Sequence, residues 1–250
     1  MTKWLQTLIA YICLLVPIAH AQSSAEALYR QANALYEQGQ YQQAIEIYAQ
    51  IAAASEHAAV FYNLGNAYFR LGQRGLAILN YERAKRLAPR DKDIDFNLKV
   101  ARAQNVDGFD LVKPASGFSL LYGALRPNEM ATVALIPCWI AAACFVAFQF
   151  PRTQRFQRPL RYAAIVGCVI WLGSLALLGL KTRELNVPHA IVVVEEVAVR
   201  SAPDAQAVEI AAPVHEGIKV EIQEQRGSWV RIYLPEENAG WLPAEAVVGI

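Results

Sequence analysis

Residues 131–150 (ATVALIPCWIAAACFVAFQF) and residues 162–180 (YAAIVGCVIWLGSLALLGL) decide the organisation of this 250-residue chain, and neither stretch contains a charged residue. A helix rises about 1.5 Å per residue, so roughly 20 mainly apolar residues are needed to cross the hydrocarbon core of a bilayer. A helix packed in a soluble core would normally keep a polar side, which both stretches lack. We therefore predict two transmembrane helices that form a hairpin.

The loop between the stretches and the start of the chain predict the side of the membrane on which each part lies. Residues 151–161 (PRTQRFQRPLR) contain four arginines and no acidic residue. Short Arg-rich loops stay in the cytoplasm, so both outer ends of the hairpin should lie on the opposite side. Residues 1–21 contain Lys3, an apolar run and Ala19-His20-Ala21, which is the pattern of a secretory signal peptide. An uncleaved anchor helix is the alternative, and both interpretations export the residues that follow.

The composition argues against several classes of function. The formal net charge is +1, so the chain lacks the excess of basic residues that is typical of nucleic-acid-binding proteins. All four cysteines lie in the signal-like segment or the apolar stretches, so the exported parts must fold without disulfides. The sequence contains no nucleophile elbow, zinc-ligand spacing or glycine-rich phosphate loop. We therefore expect a protein that is not an enzyme and that needs neither a cofactor nor a metal.

Residues 22–106 contain an internal repeat. The segment ALYRQANALYEQGQYQQAIEIYAQI, residues 27–51, aligns with VFYNLGNAYFRLGQRGLAILNYERA, residues 60–84, at an offset of 33. The alignment places Ala32 on Gly65, Gly39 on Gly72, Ala44 on Ala77 and Tyr48 on Tyr81. A period near 34 with small residues at helix crossings resembles the tetratricopeptide repeat, so an all-α domain of paired antiparallel helices is implied.

Particular residues suit that repeat physically. Gly65 and Ala77 allow two helices to approach closely, and Gly72 supplies the turn between them. Pro89 is expected to end the second helix of the second repeat. Residues 93–105 place Ile94, Leu98 and Ala101 on one face, which predicts a helix that caps the array.

In this family the first helix of each repeat lines the concave surface. Here the same Tyr-Asn-aromatic pattern occurs in the first helix of both repeats. The candidate groove residues are Tyr29, Asn33, Tyr36, Tyr62, Asn66 and Phe69. Asparagine amides can pair with the backbone of an extended peptide, and aromatic rings provide apolar contact. The alternative is that these residues only pack and solvate the groove. Chaperone-tail receptors of this family carry basic groove residues that bind a terminal carboxylate. Tyrosines stand in the groove here, so we do not expect a ligand of that kind.

In residues 187–250 apolar residues recur at every second position instead of at helical spacing. Residues 228–234 alternate Val230, Ile232 and Leu234 with Trp229, Arg231 and Tyr233, which predicts a small antiparallel barrel. The segments 199–203 (VRSAP), 216–217 (EG), 227–231 (GSWVR) and 239–243 (AGWLP) resemble a bacterial SH3-like domain. Trp229, Tyr233 and Trp241 form a candidate aromatic groove, although tryptophans are also ordinary core residues of such barrels. Because the hairpin separates this domain from the repeats, we expect the two to fold independently.

Residues 107–130 link the repeats to the first apolar stretch. Their short apolar patch predicts either a segment in the lipid headgroup layer or a helix docked against the repeats.

The order of the parts resembles BatE-type proteins of the bacterial aerotolerance operon, with further likeness in residues 125–129 (LRPNE) and 215–217 (HEG). That resemblance implies a bacterial inner-membrane protein with periplasmic N- and C-terminal domains. It also implies envelope proteins as partners, including membrane-anchored von Willebrand A-type domains of the same operon, besides membrane lipid. Two functions remain open. One is an interaction scaffold acting through the repeats, and the other is an anchor that binds peptidoglycan through the SH3-like domain.

Overall fold

The computed structural model describes residues 25–105, 107, 111, 127–148, 157–234 and 239–250. The predicted signal peptide, most of the predicted juxtamembrane segment and residues 151–156 of the predicted cytoplasmic loop lie outside these ranges. The chain divides into two compact units. One combines residues 1–112 with residues 189–250, and the other comprises residues 113–188.

Five helices form the N-terminal part of the first unit. They are α1 (residues 25–37), α2 (Tyr41–Ala54), α3 (Ala58–Arg70), α4 (Arg74–Leu87) and α5 (Lys92–Arg102). Gly39 and Gly72 end α1 and α3 with φ angles of +77° and +75°, a region that side chains with a Cβ disfavour. α4 stops two residues before Pro89, as the sequence predicts.

Close helix packing depends on Gly65, as the alignment predicts. A Cβ added there would lie 2.7 Å from the Tyr81 ring and 3.2 Å from the Ala77 carbonyl oxygen. The capping helix α5 is also confirmed, because Ile94, Leu98 and Ala101 are buried. Its N-terminus carries a feature the sequence analysis did not single out, the Asp91 carboxylate, which accepts hydrogen bonds from the backbone N–H groups of residues 93 and 94.

The C-terminal part of the first unit is built from antiparallel strands. They are β1 (His189–Val192), β2 (Glu196–Val197), β3 (Val214–His215), β4 (Lys219–Arg226), β5 (Trp229–Ile232), β6 (Gly240–Pro243) and β7 (Val247–Gly249). Five of them form a sheet in the order β6-β5-β4-β1-β7, and β2 pairs with β3. The predicted alternation holds in β5, where Val230 and Ile232 enter the core and Trp229 and Arg231 are partly exposed.

The C-terminal strands pack directly against α4 and α5, although the expectation from sequence was two independently folding domains. Ile191 of β1 is fully buried in the same cluster as Ile78 and Leu98. Gly75 of α4 approaches β1 so closely that an added Cβ would lie 2.7 Å from the Val192 carbonyl oxygen. The two parts therefore form one body, which we call the helix–sheet body.

Ionic contacts reinforce this packing. Glu216 accepts hydrogen bonds from Arg74 Nε at 2.9 Å and from the backbone N–H of Gly75 at 3.2 Å. The residue before α4, Gln73, makes no capping hydrogen bond of its own. The Glu216 carboxylate therefore satisfies an N-terminal amide of α4 from the opposite side of the interface and interacts favourably with the helix dipole.

A second ionic contact joins three elements. The carboxylate of Glu82 on α4 accepts hydrogen bonds from Lys219 Nζ on β4 at 2.9 Å and from Arg102 Nη2 on α5 at 2.7 Å. Burial alone would raise the pKa of Glu82, but Lys219 and Arg102 together lower it below its ordinary value. Glu82 therefore stays ionised and holds β4 and α5 against α4.

The second unit contains α6 (Pro127–Phe148) and α7 (Gln157–Leu185). Within them, Asn128–Ala147 and Arg161–Arg183 are long and apolar enough to cross a membrane. The two helices pack through small residues, since a Cβ on Gly167 would lie 3.1 Å from the Ala141 Cβ. Their outer faces expose large apolar side chains, including Trp139 and Val169.

Candidate functional site

A hydrogen-bond network joins the first helices of the two repeats. Asn63 of α3 donates from Nδ2 to the Tyr29 hydroxyl at 2.9 Å and to Asn33 Oδ1 at 3.1 Å. The Tyr48 hydroxyl of α2 donates to the same Asn33 oxygen at 2.5 Å. One asparagine oxygen thus links three consecutive helices.

The same network recurs one repeat later. Asn97 of α5 donates from Nδ2 to the Tyr62 hydroxyl at 3.0 Å and to Asn66 Oδ1 at 2.8 Å, and the Tyr81 hydroxyl donates to Asn66 Oδ1 at 2.7 Å. Asn97 therefore makes the same contacts in the second network that Asn63, 34 positions earlier in the chain, makes in the first. It follows that α5 is equivalent to the first helix of a third repeat, as well as being a cap.

The buried tyrosines of these networks remain hydrogen-bond donors. Burial, with a smaller effect from neighbouring Tyr29, raises the pKa of Tyr48 to about 12. Burial likewise raises the pKa of Tyr81 well above the ordinary value for tyrosine. Both hydroxyls keep their protons at physiological pH, so each can donate to its asparagine oxygen.

A concave cavity of about 300 Å³ opens beside the second network. Its lining combines aromatic rings, amides and one cation, and consists of Tyr36, Asn66, Phe69, Arg70, Tyr81, Asn97 and Val100. The Asn66 Oδ1 atom is occupied by the network, while its Nδ2 donates to no group in the described part of the chain. Arg70 is exposed and donates from Nε to the Tyr36 hydroxyl at 3.4 Å, which raises the pKa of the guanidinium. The cavity therefore offers hydrogen-bond donors and positive charge between apolar walls.

The six predicted groove residues do not share one place. Tyr36, Asn66 and Phe69 line the cavity together. Tyr29 borders a second, more open cavity of about 660 Å³ with residues of α1, α2 and α3. Asn33 and Tyr62 line neither of these two cavities and act in the networks that hold the helices together. The packing alternative therefore describes Asn33 and Tyr62, whereas a binding role for Tyr36, Asn66 and Phe69 stays a prediction.

Four further cavity residues were not predicted as groove residues from the sequence: Arg70, Tyr81, Asn97 and Val100. Extending the repeat pattern into α5 would have identified Val100, because it lies 34 positions after the predicted groove residue Asn66. The change of offset from 33 to 34 concealed that equivalence.

The three candidate aromatic residues of the C-terminal domain lie on one face of the sheet. Trp241 is opposite Arg231 in the pairing of β5 with β6, and Trp229 and Tyr233 follow the same alternation. That face points away from the core that contains Val230. Trp229 and Tyr233 are partly exposed, whereas Trp241 is buried beneath the Arg226 guanidinium, 5.3 Å from its ring centre.

Comparison with known families assigns the N-terminal helices. Residues 58–91 match one family model of the tetratricopeptide repeat, and residues 26–54 match another. Both segments are tetratricopeptide repeats. The first match covers α3 and α4 with the turn at Gly72, and the second covers most of α1 and α2. Repeats of this kind serve as scaffolds for protein interaction. The comparison with curated proteins finds no match to this chain.

Solved structures show distant similarity to the chain. The type III secretion translocator chaperone SycD of Yersinia enterocolitica is 16% identical, with 58% of this chain and 90% of that chain covered, at a TM-score of 0.31. SycD in complex with a peptide of the translocator YopD gives 16% identity, coverages of 59% and 94%, and the same score. PcrH from Pseudomonas aeruginosa gives 13% identity, coverages of 58% and 92%, and again 0.31. At such scores these similarities carry no argument about function.

Proposed function

We propose that this protein is a membrane-anchored interaction scaffold whose repeats bind an extended segment of an envelope partner protein. The observation that carries the proposal is the cavity between α3 and α5. It combines Asn66 Nδ2, which donates to no group among the described residues, with the Phe69 and Tyr36 rings on one concave surface. An amide donor pairs with a peptide carbonyl, and the rings bury an apolar side chain beside it.

The helix–sheet body is consistent with the predicted topology. Residues before and after the hairpin belong to one compact unit, so both ends of the hairpin connect to the same body. Such a body forms most simply when both ends emerge on one side of the membrane. The large apolar side chains exposed on α6 and α7, such as Trp139, suit contact with lipid.

Reporter fusions test this topology. A reporter that is active only outside the cytoplasm should work when fused after residue 106 or residue 250, and it should fail after residue 155. An inactive fusion after residue 250 would contradict the hairpin.

Crosslinking tests the groove. A photo-crosslinking amino acid in place of Phe69 should capture a partner protein in intact membranes, whereas the same group at Gln50, which is exposed on α2, should not. Val100 makes no hydrogen bond to the networks through its side chain, so Val100→Trp should fill the cavity and abolish the Phe69 adduct, while Val100→Ile preserves it. Tyr62 and Asn66 are less suitable targets, because their substitution also removes interhelical hydrogen bonds. Equal capture from both crosslinker positions, or no effect of Val100→Trp, would reject the groove as the binding site.

The C-terminal domain carries the second candidate function. The resemblance to bacterial SH3-like domains, together with partly exposed Trp229 and Tyr233 on one face, favours a role in binding peptidoglycan. Purified peptidoglycan should then retain the full chain, and Trp229→Ala with Tyr233→Ala should release it. If Val100→Trp abolished retention instead, the repeats and not the C-terminal domain would be the part that binds peptidoglycan.

A further inference from the structure

The two repeats present opposite charges at equivalent positions. Glu37 is the last residue of α1, and Arg70, 33 positions later, is the last residue of α3. Arg70 lines the cavity, and Tyr36, the neighbour of Glu37, lines it too. Because Glu37 occupies on α1 the repeat position that Arg70 occupies on α3, the charge at this position changes sign between one repeat and the next, although the two hydrogen-bond networks are the same.

Neither charge is neutralised within the described part of the chain. Arg70 has the Tyr36 hydroxyl as its partner and no carboxylate within 4 Å, and Glu37 has no cation within that distance. Glu37 also stands at a helix C-terminus, where the helix dipole disfavours an acidic side chain. The Glu37 carboxylate and the Arg70 guanidinium are therefore both available to pair with charges of a bound segment.

We propose, on the basis of the function proposed above, that the groove selects an extended segment carrying one basic and one acidic side chain about three residues apart. The basic side chain pairs with Glu37, and the acidic side chain pairs with Arg70. An apolar side chain next to the acidic one enters the cavity beside Phe69 and Val100. This charge pattern is the chemical class of partner that the surface fits.

The spacing follows from the geometry of the repeats. Asn63 bonds directly to Tyr29 and Asn33, so α1 and α3 are adjacent helices. Adjacent packed helices lie roughly 8–10 Å apart. A polyproline II segment repeats every three residues at about 3.1 Å each, so side chains about 9 Å apart point to the same side. A separation of three residues therefore brings each ligand charge to its own repeat.

A peptide selection followed by a charge-exchange experiment tests the proposal. Random twelve-residue peptides are selected on the full chain in lipid nanodiscs and counter-selected on the Val100→Trp variant. The enriched peptides should contain a basic and an acidic residue about three positions apart. Replacing the acidic residue of such a peptide with Lys should weaken its affinity about five- to tenfold at low salt, because an exposed attraction becomes a repulsion.

Compensation gives the decisive result. Arg70→Glu should restore binding of the Lys-substituted peptide, and Glu37→Lys should do the same for a peptide whose basic residue is replaced with Glu. On the C-terminal strands, Arg231→Glu matches the change in net charge of Arg70→Glu, and Glu196→Lys matches that of Glu37→Lys; neither control should restore binding. Enriched peptides whose affinity is indifferent to Glu37 and Arg70 would overturn the charge inference and leave the groove as a binding site. A selection with no enrichment over Val100→Trp would overturn the proposed function, and the inference would fall with it.

Discussion

Lys219→Met should loosen the C-terminal sheet from α4 and α5, because it removes one of the two cations that hold the buried carboxylate of Glu82. The Glu82 side chain is 10% exposed and that of Lys219 is 22% exposed, so water replaces little of the lost contact. Removing one partner of a buried, hydrogen-bonded charge pair typically costs about 2–5 kcal/mol. Arg102 still bonds Glu82 at 2.7 Å, which places the expected loss near the lower end, about 2–3 kcal/mol.

The assay is hydrogen exchange followed by mass spectrometry on the full chain in nanodiscs. A loss of about 2–3 kcal/mol should speed exchange in α5 and β4 by roughly 30- to 150-fold wherever those amides exchange by separation of the interface. Lys92→Met is the matched control, because Lys92 is exposed at the start of α5 and bonds to no described residue. In a double-mutant cycle, Glu82→Gln combined with Lys219→Met should cost less than the two single changes added together.

One result would refute the reasoning. If Lys219→Met altered exchange in α5 no more than Lys92→Met, then the triad of Glu82, Arg102 and Lys219 would not hold the interface. The apolar contact of Ile191 with α4 and α5 would then account for the packing.

Three further predictions concern the same body. The lowered pKa of Glu82 contributes stability that is fully present above the ordinary glutamate pKa and is lost as pH falls through the folded value. The midpoint of thermal unfolding should therefore fall below about pH 4.5, and this dependence on pH should be smaller in Glu82→Gln. Gly65→Leu should destabilise the repeats by about 1–3 kcal/mol through overpacking against Tyr81, and limited proteolysis should show the C-terminal strands becoming sensitive as well, whereas unchanged resistance would contradict the close crossing. Gly75→Ala should separate α4 from β1, seen as faster exchange in β1, while Gly249→Ala, where an added Cβ meets nothing within 4 Å, should leave β1 exchange as in the parent.

Local physical rules made much of the repeat region predictable. Gly65, Gly72 and Pro89 constrain the backbone by themselves, so their roles in crossing, turning and ending helices follow from residue type. The buried face of α5 follows equally from the spacing of its apolar residues. The candidate groove was predicted only in part, since tyrosine and asparagine at one face serve both packing and binding. The hydrogen bonds of Tyr62 and Asn66 separate these roles, and they depend on residues of other helices.

The sequence by itself determined the repeats, the two apolar helices and the alternating C-terminal strands, because periodicity and chain length act within each segment. Only the tertiary structure decided that Glu216 caps α4 and that Lys219 meets Glu82, across 141 and 137 positions respectively. No periodic signal marks such a pair, since each residue alone is an ordinary charged side chain of its own element. The docking of the strands on the repeats, and the exposure of the groove on α3 and α5, depend on the complementarity of surfaces that exist only after both parts have folded.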